Sequence, residues 1–175
     1  VGALNADIAA HFLPHLSPQQ GQRVLADEEA AFRKRVGALT LTPGALALLD
    51  FARAHGVAVG LVTNAPRANA EALLTALGIG DRFQAVVTGD EVEKGKPNPL
   101  PYLTGLRLVV GDAARALAFE DSVAGASAAV SAGLTTVGIG PDSAAPRLGA
   151  VGVAFTARDF TDPRVMEIVR ATLRA

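Results

Sequence analysis

The chain has 175 residues, half of them hydrophobic, so it can bury one core with a small appendage and is not expected to be disordered. Its net charge of −1 argues against a nucleic-acid partner, and the absence of cysteine excludes a disulfide framework and a thiolate nucleophile. Neither a membrane-spanning run nor a secretory segment is visible, so we expect a cytoplasmic protein without a membrane partner, of unknown oligomeric state.

Residues 1–40 are predicted to be helical, without a strand. Asn5 can cap a first helix, and a second helix follows Ser17 and Pro18, with apolar side chains on one stripe and charged side chains mostly elsewhere. The chain begins with Val1 rather than Met, so we expect that translation began further upstream.

Strands and helices alternate from residue 41 onward. After a chain reversal at Pro43 and Gly44, a helix runs to Gly56, and apolar segments then predict strands at 57–62, 84–88, 117–119, 135–139 and 151–155. The first of these strands is apolar almost throughout, which is typical of a parallel strand buried on both faces. Helices are also predicted at 66–77, where Gly78 closes the helix, and within 97–106, and a last helix begins at Pro163, capped by Asp162. This alternation predicts an α/β fold with a doubly wound parallel sheet.

The segment FEDSVAG, residues 119–125, carries the clearest chemical signal. Glu120 and Asp121 follow a buried strand, at the edge where open α/β sheets bind ligands. Two carboxylates at this position suit Mg²⁺, which prefers oxygen ligands. The alternative is structural, since Asp121 or Ser122 could simply cap the helix that follows.

Polar residues also follow the first two predicted strands. Thr63 and Asn64 come at a strand-to-helix turn, where a hydroxyl, an amide and free helix N–H groups can bind an anion or merely satisfy the turn. Lys96 precedes Pro97, which restricts its backbone and so fixes the direction of a cationic side chain suited to phosphate. The usual alternative for a lysine is a solvated surface position, which we expect for Lys94.

The order of these pieces resembles the haloacid dehalogenase superfamily of phosphatases and phosphomutases. VTN (62–64) resembles its second motif, GKPNP (95–99) its third and FEDSVAG its fourth, and the closest likeness is to small sugar-phosphate phosphatases and the phosphoglycolate phosphatase and β-phosphoglucomutase branches. The resemblance implies a Rossmann-like core over residues 41–175. It also implies that residues 1–40 are the end of a small helical cap domain, which is incomplete here.

The resemblance also implies a role for each site residue. Thr63 hydrogen-bonds the transferring phosphoryl group with Asn64 beside it, and Lys96 balances charge between that group and the nucleophile. Asp121 ligates Mg²⁺, and Glu120 supports the metal directly or through water. These roles agree with the residues themselves, because phosphoryl transfer mainly requires positioning and charge neutralisation.

The family's first motif, a strand that ends in Asp-x-Asp and carries the nucleophile, is absent from these residues. None of the candidate replacements follows an N-terminal apolar strand: Asp7, Asp27, Asp50 and Asp112. In the family the missing strand lies between the strand that ends at Thr63 and the strand that ends at Phe119. We therefore expect either a longer protein that carries Asp-x-Asp upstream of Val1 or a shortened chain with a rearranged sheet, and we favour the first.

Three functions fit this sequence. The leading hypothesis is a Mg²⁺-dependent phosphatase of small phosphorylated metabolites, above all sugar phosphates, acting through an aspartyl-phosphate. A phosphomutase needs the same core, and a non-catalytic module that binds a phosphate or a partner would have lost the nucleophile. These 175 residues are expected to be inactive alone.

Overall fold

The computed structural model describes residues 11–174. The cap expected at Asn5 lies outside the described residues. The helices are α1 (Pro18–Arg35), α2 (Ala45–Ala54), α3 (Arg67–Leu77), α4 (Leu100–Leu108), α5 (Val123–Ser131), α6 (Ala145–Gly149) and α7 (Pro163–Arg174). The strands are β1 (Gly60–Val62), β2 (Ala85–Val87), β3 (Leu117–Glu120), β4 (Thr135–Ile139) and β5 (Phe155–Ala157). No helix between residues 11 and 174 combines the length and apolarity needed to cross a membrane.

All the strand pairs are parallel, and within residues 11–174 they form a two-stranded part and a three-stranded part without backbone pairing between them. β1 pairs with β2, and the order β3-β4-β5 makes the second part. Helices alternate with the strands along the chain, as parallel pairing requires, because each connection must return to the same end of the sheet. The predicted α/β class with a parallel sheet is confirmed.

Local sequence signals account for the ends of several helices. The Ser17 hydroxyl accepts from the Gln20 N–H at 3.3 Å and Gln20 Oε1 accepts from the Ser17 N–H at 2.9 Å, which satisfies both ends of a capping box. α3 ends at Gly78, whose φ of +65° is the left-handed conformation that glycine adopts without steric cost. At α7, Asp162 Oδ1 accepts from the Arg164 N–H at 3.0 Å, as predicted.

Three predicted boundaries were wrong. The first strand spans only residues 60–62 and is exposed or half-buried rather than buried on both faces, because it lies in a two-stranded part of the sheet. The short helix predicted within 97–106 spans Leu100–Leu108, and the Leu100 N–H donates to the Asn98 side chain at 2.9 Å in the preceding turn. The last strand lies at 155–157 instead of 151–155, because the chain first turns at Gly152 with φ +90°.

The core consists of two groups of apolar side chains. The first lies between α4, β3 and α5, and Val62 of β1 packs against it, so that it spans both parts of the sheet. It contains Tyr102, Ala118, Ala128, Ala129, Ala132 and Leu134. The second lies around β4, β5 and α7 and contains Val137, Ile139, Ala157 and Val165. The small alanines of α5 allow this helix to lie close to the sheet.

The N-terminal helix packs against the α/β part through polar contacts. α1 lies against α3, where Arg33 Nη1 donates to Asn69 Oδ1 at 2.7 Å. Asn69 Nδ2 in turn donates to Glu29 on α1. A single amide therefore joins two charged residues of α1 to the helix that follows β1.

Candidate active site

Lys96 brings the carboxyl ends of β1 and β3 together. Its Nζ donates to the main-chain carbonyl of Val62 at 2.8 Å and forms an ion pair with the Glu120 carboxylate. These partners immediately precede Thr63 and Asp121, so Lys96 lies at the same sheet edge as both, as the strand order predicts. Lys96 is only 9% exposed, which excludes the solvated surface position that is usual for lysine. Lys94, by contrast, is exposed, as expected.

The Lys96 main chain is held separately from its ammonium group. Asn64 Oδ1 accepts from the Lys96 N–H at 3.0 Å, and Asn64 Nδ2 donates to the Lys96 carbonyl at 3.2 Å. Both atoms of the buried amide therefore bind one residue of another loop, next to the cis peptide bond between Lys96 and Pro97. Asn64 thus positions Lys96, a role that the sequence did not reveal, and its contact with a phosphoryl group stays a prediction.

The Glu120 carboxylate lies in a buried polar pocket, where both of its oxygens are hydrogen-bonded. Oε1 accepts from the Tyr102 hydroxyl at 2.5 Å as well as from Lys96, and Oε2 accepts from the Ser122 hydroxyl at 3.3 Å. Gly125 makes the room, because a Cβ at this position would overlap the carboxylate. Glu120 is thus the counter-ion of Lys96, and its predicted support of a metal remains a prediction.

Tyr102 is the second donor to this carboxylate and is itself buried. Burial raises the pKa of the Tyr102 phenol far above its usual range, and the neighbouring Glu120 charge adds to the rise, so the phenol remains a proton donor. The Lys96 ammonium lies 5.1 Å from the centroid of the Tyr102 ring, within range of a cation–π contact. Lysine, glutamate and tyrosine therefore form one buried group.

Ser122 also caps α5, since its Oγ accepts from the Gly125 N–H at 3.0 Å. The structural alternative is thus correct for Ser122. Asp121 is exposed at the end of β3, free of the pocket that encloses Glu120.

Thr63 lines a cleft between the N-terminal helix and the sheet. Its Oγ1 accepts from the Ala65 N–H at 3.1 Å, so the hydroxyl satisfies the strand-to-helix turn, which was the structural alternative for this residue. The Thr63 side chain is half-buried. The cleft has a volume of about 380 Å³ and lies between α1, the end of β1 and α3. It is lined by Glu28, Glu29, Phe32, Leu61, Thr63, Ala65, Asn69, Ala70 and Leu73. Thr63 is the one predicted site residue in this lining, since Lys96, Glu120 and Asp121 lie outside it.

The residues present fit a magnesium site only in part. In the described chain, no three His, Cys, Asp or Glu residues lie together in a group able to hold a metal ion. Mg²⁺ is commonly bound by one or two protein carboxylates, with waters and substrate phosphates completing its shell. Asp121 can serve as one such carboxylate, whereas Glu120 is engaged with Lys96 and Tyr102.

None of the described aspartates considered as a nucleophile lies at this edge. Asp27 is exposed on α1, Asp50 on α2 forms an ion pair with Arg82, and Asp112 caps a short turn by accepting from Ala114 N–H at 3.0 Å. Asp7 lies outside the described residues. The described part of the chain thus holds a cation and carboxylates at the strand ends without an evident attacking group.

The edge of β1 that faces away from β2 is not paired with a strand between residues 11 and 174. The Val59 carbonyl and the Thr63 N–H both bond to the β2 segment, at 2.9 Å each. Backbone groups of alternate residues in a strand face opposite edges. The Val62 carbonyl therefore points to the edge away from β2, where it accepts from Lys96. A side chain therefore occupies a position on β1 that a neighbouring strand could otherwise use.

A second polar network holds the end of β2 to the start of α3. The Arg67 guanidinium donates to Glu91 at 2.5 and 2.8 Å and to the Val86 carbonyl at 2.9 Å. The Thr88 hydroxyl donates to Glu91 at 2.8 Å. Hydrogen bonding to Arg67 is the main reason why the pKa of Glu91 falls to about 2. The network fixes the loop that leads from β2 towards Lys96.

Sequence reasoning missed Tyr102, Gly125 and the positioning role of Asn64. For Tyr102 one signal existed, because a tyrosine in an apolar helix must find a partner for its hydroxyl when it is buried. Gly125 gave a weaker signal, a glycine near the start of a helix, whose steric purpose depends on where Glu120 lies.

The chain belongs to the haloacid dehalogenase-like hydrolase family, whose model matches residues 5–133. It is 34% identical to validoxylamine A 7'-phosphate phosphatase of Streptomyces hygroscopicus over 159 residues, which cover 91% of this chain and 72% of that protein. It is 36% identical to β-phosphoglucomutase of Bacillus subtilis over 121 residues, which cover 69% and 52% of the two chains. The resemblance inferred from the three motifs is confirmed.

The crystal structure of CbbY from Rhodobacter sphaeroides in complex with phosphate is similar to this fold. It has a TM-score of 0.79 at 26% identity, over 91% of this chain and 75% of that one. The chain spans between 46% and 72% of the length of three curated relatives that it matches.

Proposed function

We propose that this protein is a phosphatase of small phosphorylated metabolites, with sugar phosphates as the main substrate class. The observation that carries the proposal is the position of Lys96, buried between the ends of β1 and β3 beside Thr63 and Asp121. Membership of a hydrolase family and similarity to a phosphatase of a phosphorylated compound support it.

In the proposed reaction, Lys96 and Thr63 bind the transferring phosphoryl group. The ammonium offsets the negative charge on the phosphoryl oxygens, and the hydroxyl of Thr63 fixes their orientation from the wall of the cleft. Catalysis of this kind depends on groups that are fixed before the substrate arrives, since they then need no rearrangement in the transition state. The double attachment of Lys96, through Asn64 and through Glu120, supplies that rigidity.

We further propose that Mg²⁺ binds at Asp121, with Glu120 contributing directly or through water. When bound, the metal would neutralise charge on the phosphoryl oxygens. Asp121 is exposed and able to coordinate, but the remaining ligands must be waters, substrate oxygens or groups outside residues 11–174.

The nucleophile in this proposal is an aspartate on a segment that precedes Val1. We expect that segment to form a strand between β1 and β3 and to end in Asp-x-Asp. The lack of backbone pairing between β1 and β3 within residues 11–174 supports a strand at this position. Its aspartate would attack phosphorus and displace the substrate's alcohol, forming an aspartyl-phosphate, and water would then hydrolyse this to phosphate and the free carboxylate.

Two alternatives remain. A phosphomutase would use the same site, and similarity to a β-phosphoglucomutase favours it as the second candidate. A non-catalytic module that binds phosphate or a partner would lack the upstream Asp-x-Asp. Isomer formation from a sugar phosphate identifies the mutase, and phosphate binding without turnover identifies the module.

The test compares the full-length protein with its Asp121→Asn variant. Wild type should release phosphate from a panel of sugar phosphates with Mg²⁺, and the variant should lose at least about a hundredfold in kcat and bind Mg²⁺ more weakly by calorimetry. Asp142→Asn, an exposed aspartate elsewhere, is the control and should retain activity. The 175 residues alone should bind phosphate weakly without turnover. Turnover by those residues alone, or unchanged metal affinity in Asp121→Asn, would contradict the proposal.

A further inference from the structure

Glu120 Oε1 accepts two hydrogen bonds, and only one of them comes from a residue that the family motifs indicate. Lys96 is the motif residue, and Tyr102 on α4 is the other donor, at 2.5 Å. Tyr102 is 8% exposed, so its hydroxyl has little access to water as an alternative partner. The phenol is therefore directed at the carboxylate that neutralises Lys96.

The two donors differ in how strictly they orient the carboxylate. An ammonium group has three donors on a flexible stem and can follow a carboxylate through many orientations. The Tyr102 hydroxyl stands on a ring packed in the first apolar cluster, so its oxygen is fixed in place and its O–H bond can change direction only by rotation about the C–O bond. The phenol therefore restricts the position of Oε1 more closely than the ammonium group does.

We propose that Tyr102 is a positioning residue for Lys96 and acts through Glu120. Its hydroxyl holds Glu120 Oε1 at the point from which the Lys96 ammonium also reaches the Val62 carbonyl, at the edge of β1. Without the hydroxyl, Lys96 is the remaining hydrogen-bond donor to Oε1 within residues 11–174, and the ion pair is free to shift and to open. The expected effect of Tyr102 on catalysis rests on the proposed phosphatase activity, whereas its expected effect on the position of Lys96 does not.

The first test is Tyr102→Phe in the full-length protein, which removes the hydroxyl and keeps the ring in the core. The kcat for a sugar phosphate should fall about tenfold or more, with KM changed less than about threefold, because a misplaced Lys96 affects charge that develops during transfer. The matched control is Thr136→Val, which also removes a buried hydroxyl, one that donates to the Leu134 carbonyl at 3.1 Å. It should lower stability without lowering kcat.

The second test reads the position of Lys96 without any turnover. The sequence contains three lysines, Lys34, Lys94 and Lys96, of which only Lys96 is buried. Acylation with an activated ester, followed by mass spectrometry of the peptides, should label Lys34 and Lys94 readily and Lys96 slowly. In Tyr102→Phe, Lys96 should be labelled roughly threefold faster or more, because its ion pair opens more often, while Lys34 and Lys94 keep their rates.

The outcomes separate this inference from the proposed function. If wild type turns over and Tyr102→Phe matches it in both kcat and Lys96 labelling, Tyr102 does not position Lys96, and the phosphatase proposal stands. If wild type shows no turnover, the phosphatase proposal fails, and the labelling rate of Lys96 alone decides the role of Tyr102. Equal acceleration of Lys96 labelling in Tyr102→Phe and Thr136→Val would also overturn the inference, since it would indicate general loosening.

Discussion

The two parts of the sheet are stabilised in different ways. In β4, the residues from Thr136 to Ile139 are buried, and Val137 and Val165 of the second cluster are fully enclosed. In β1, Gly60 is exposed and the next two residues are half-buried. The three-stranded part therefore has a backbone ladder covered by apolar side chains, whereas the two-stranded part depends more on polar contacts at the ends of its strands.

Because of this difference, side chains of the candidate site also connect the two parts of the sheet. Within residues 11–174, β1 and β3 share no backbone pairing, and Lys96 connects their ends by side-chain bonds to Val62 and Glu120. Residues that perform chemistry usually contribute little to stability, and replacing them often costs only activity. Here we expect the same substitutions to cost both, and the following predictions test that expectation.

Replacing Lys96 should have the largest effect. Lys96→Met keeps the apolar stem but leaves the Glu120 carboxylate buried without its cation, which should lower the free energy of unfolding by about 3–5 kcal/mol and abolish turnover. Urea unfolding of the full-length protein measures the loss.

A double variant separates stability from catalysis. Lys96→Met with Glu120→Gln removes both charges and keeps an acceptor for Tyr102, so most of the lost stability should return while turnover remains absent. If the single variant unfolds at the same urea concentration as wild type, the Lys96–Glu120 ion pair does not contribute to stability.

Replacing Gly125 should have an intermediate effect. The new Cβ in Gly125→Ala would overlap the Glu120 carboxylate, and the required shift should cost about 1–3 kcal/mol and loosen Lys96. Gly149→Ala on α6 is the matched control, because its Cβ meets no atom within 4 Å, and it should leave stability almost unchanged or slightly higher. Equal stability of the two variants would show that Glu120 can move without cost.

The fold could be predicted further than the site. Alternating strands and helices, the cap at Asp162 and the stop at Gly78 are local signals, and the structure has them where expected. The motifs also identified Lys96 and the acidic pair. The orientation of a side chain is not local, however: Glu120 binds Lys96 rather than lying exposed beside Asp121, because Gly125 and Tyr102 form a pocket around it. The burial of β1 was mispredicted for a similar reason, because an apolar segment carries no information on how many strands pair with it.

The smallest effect should come from the network on the two-stranded side. The folded-state pKa of Glu91 is about 2, below its ordinary value of 4.5, mainly because Arg67 hydrogen-bonds the charged form. The contribution of this carboxylate to stability is therefore present above about pH 4.5 and is lost as the pH falls towards 2.

Glu91→Gln should flatten the fall of the unfolding free energy between these two pH values. Because the Glu91 side chain is 43% exposed, solvent screens the pair, and the difference from wild type at neutral pH should stay below about 1 kcal/mol. In an Arg67→Gln background the same change should lose most of its effect, and about 1 M salt should reduce it in wild type. Urea unfolding at a series of pH values measures each slope. An unchanged slope in Glu91→Gln would mean that the two-stranded part is held by its apolar contacts after all, and the contrast with the three-stranded part would then rest on Lys96 alone.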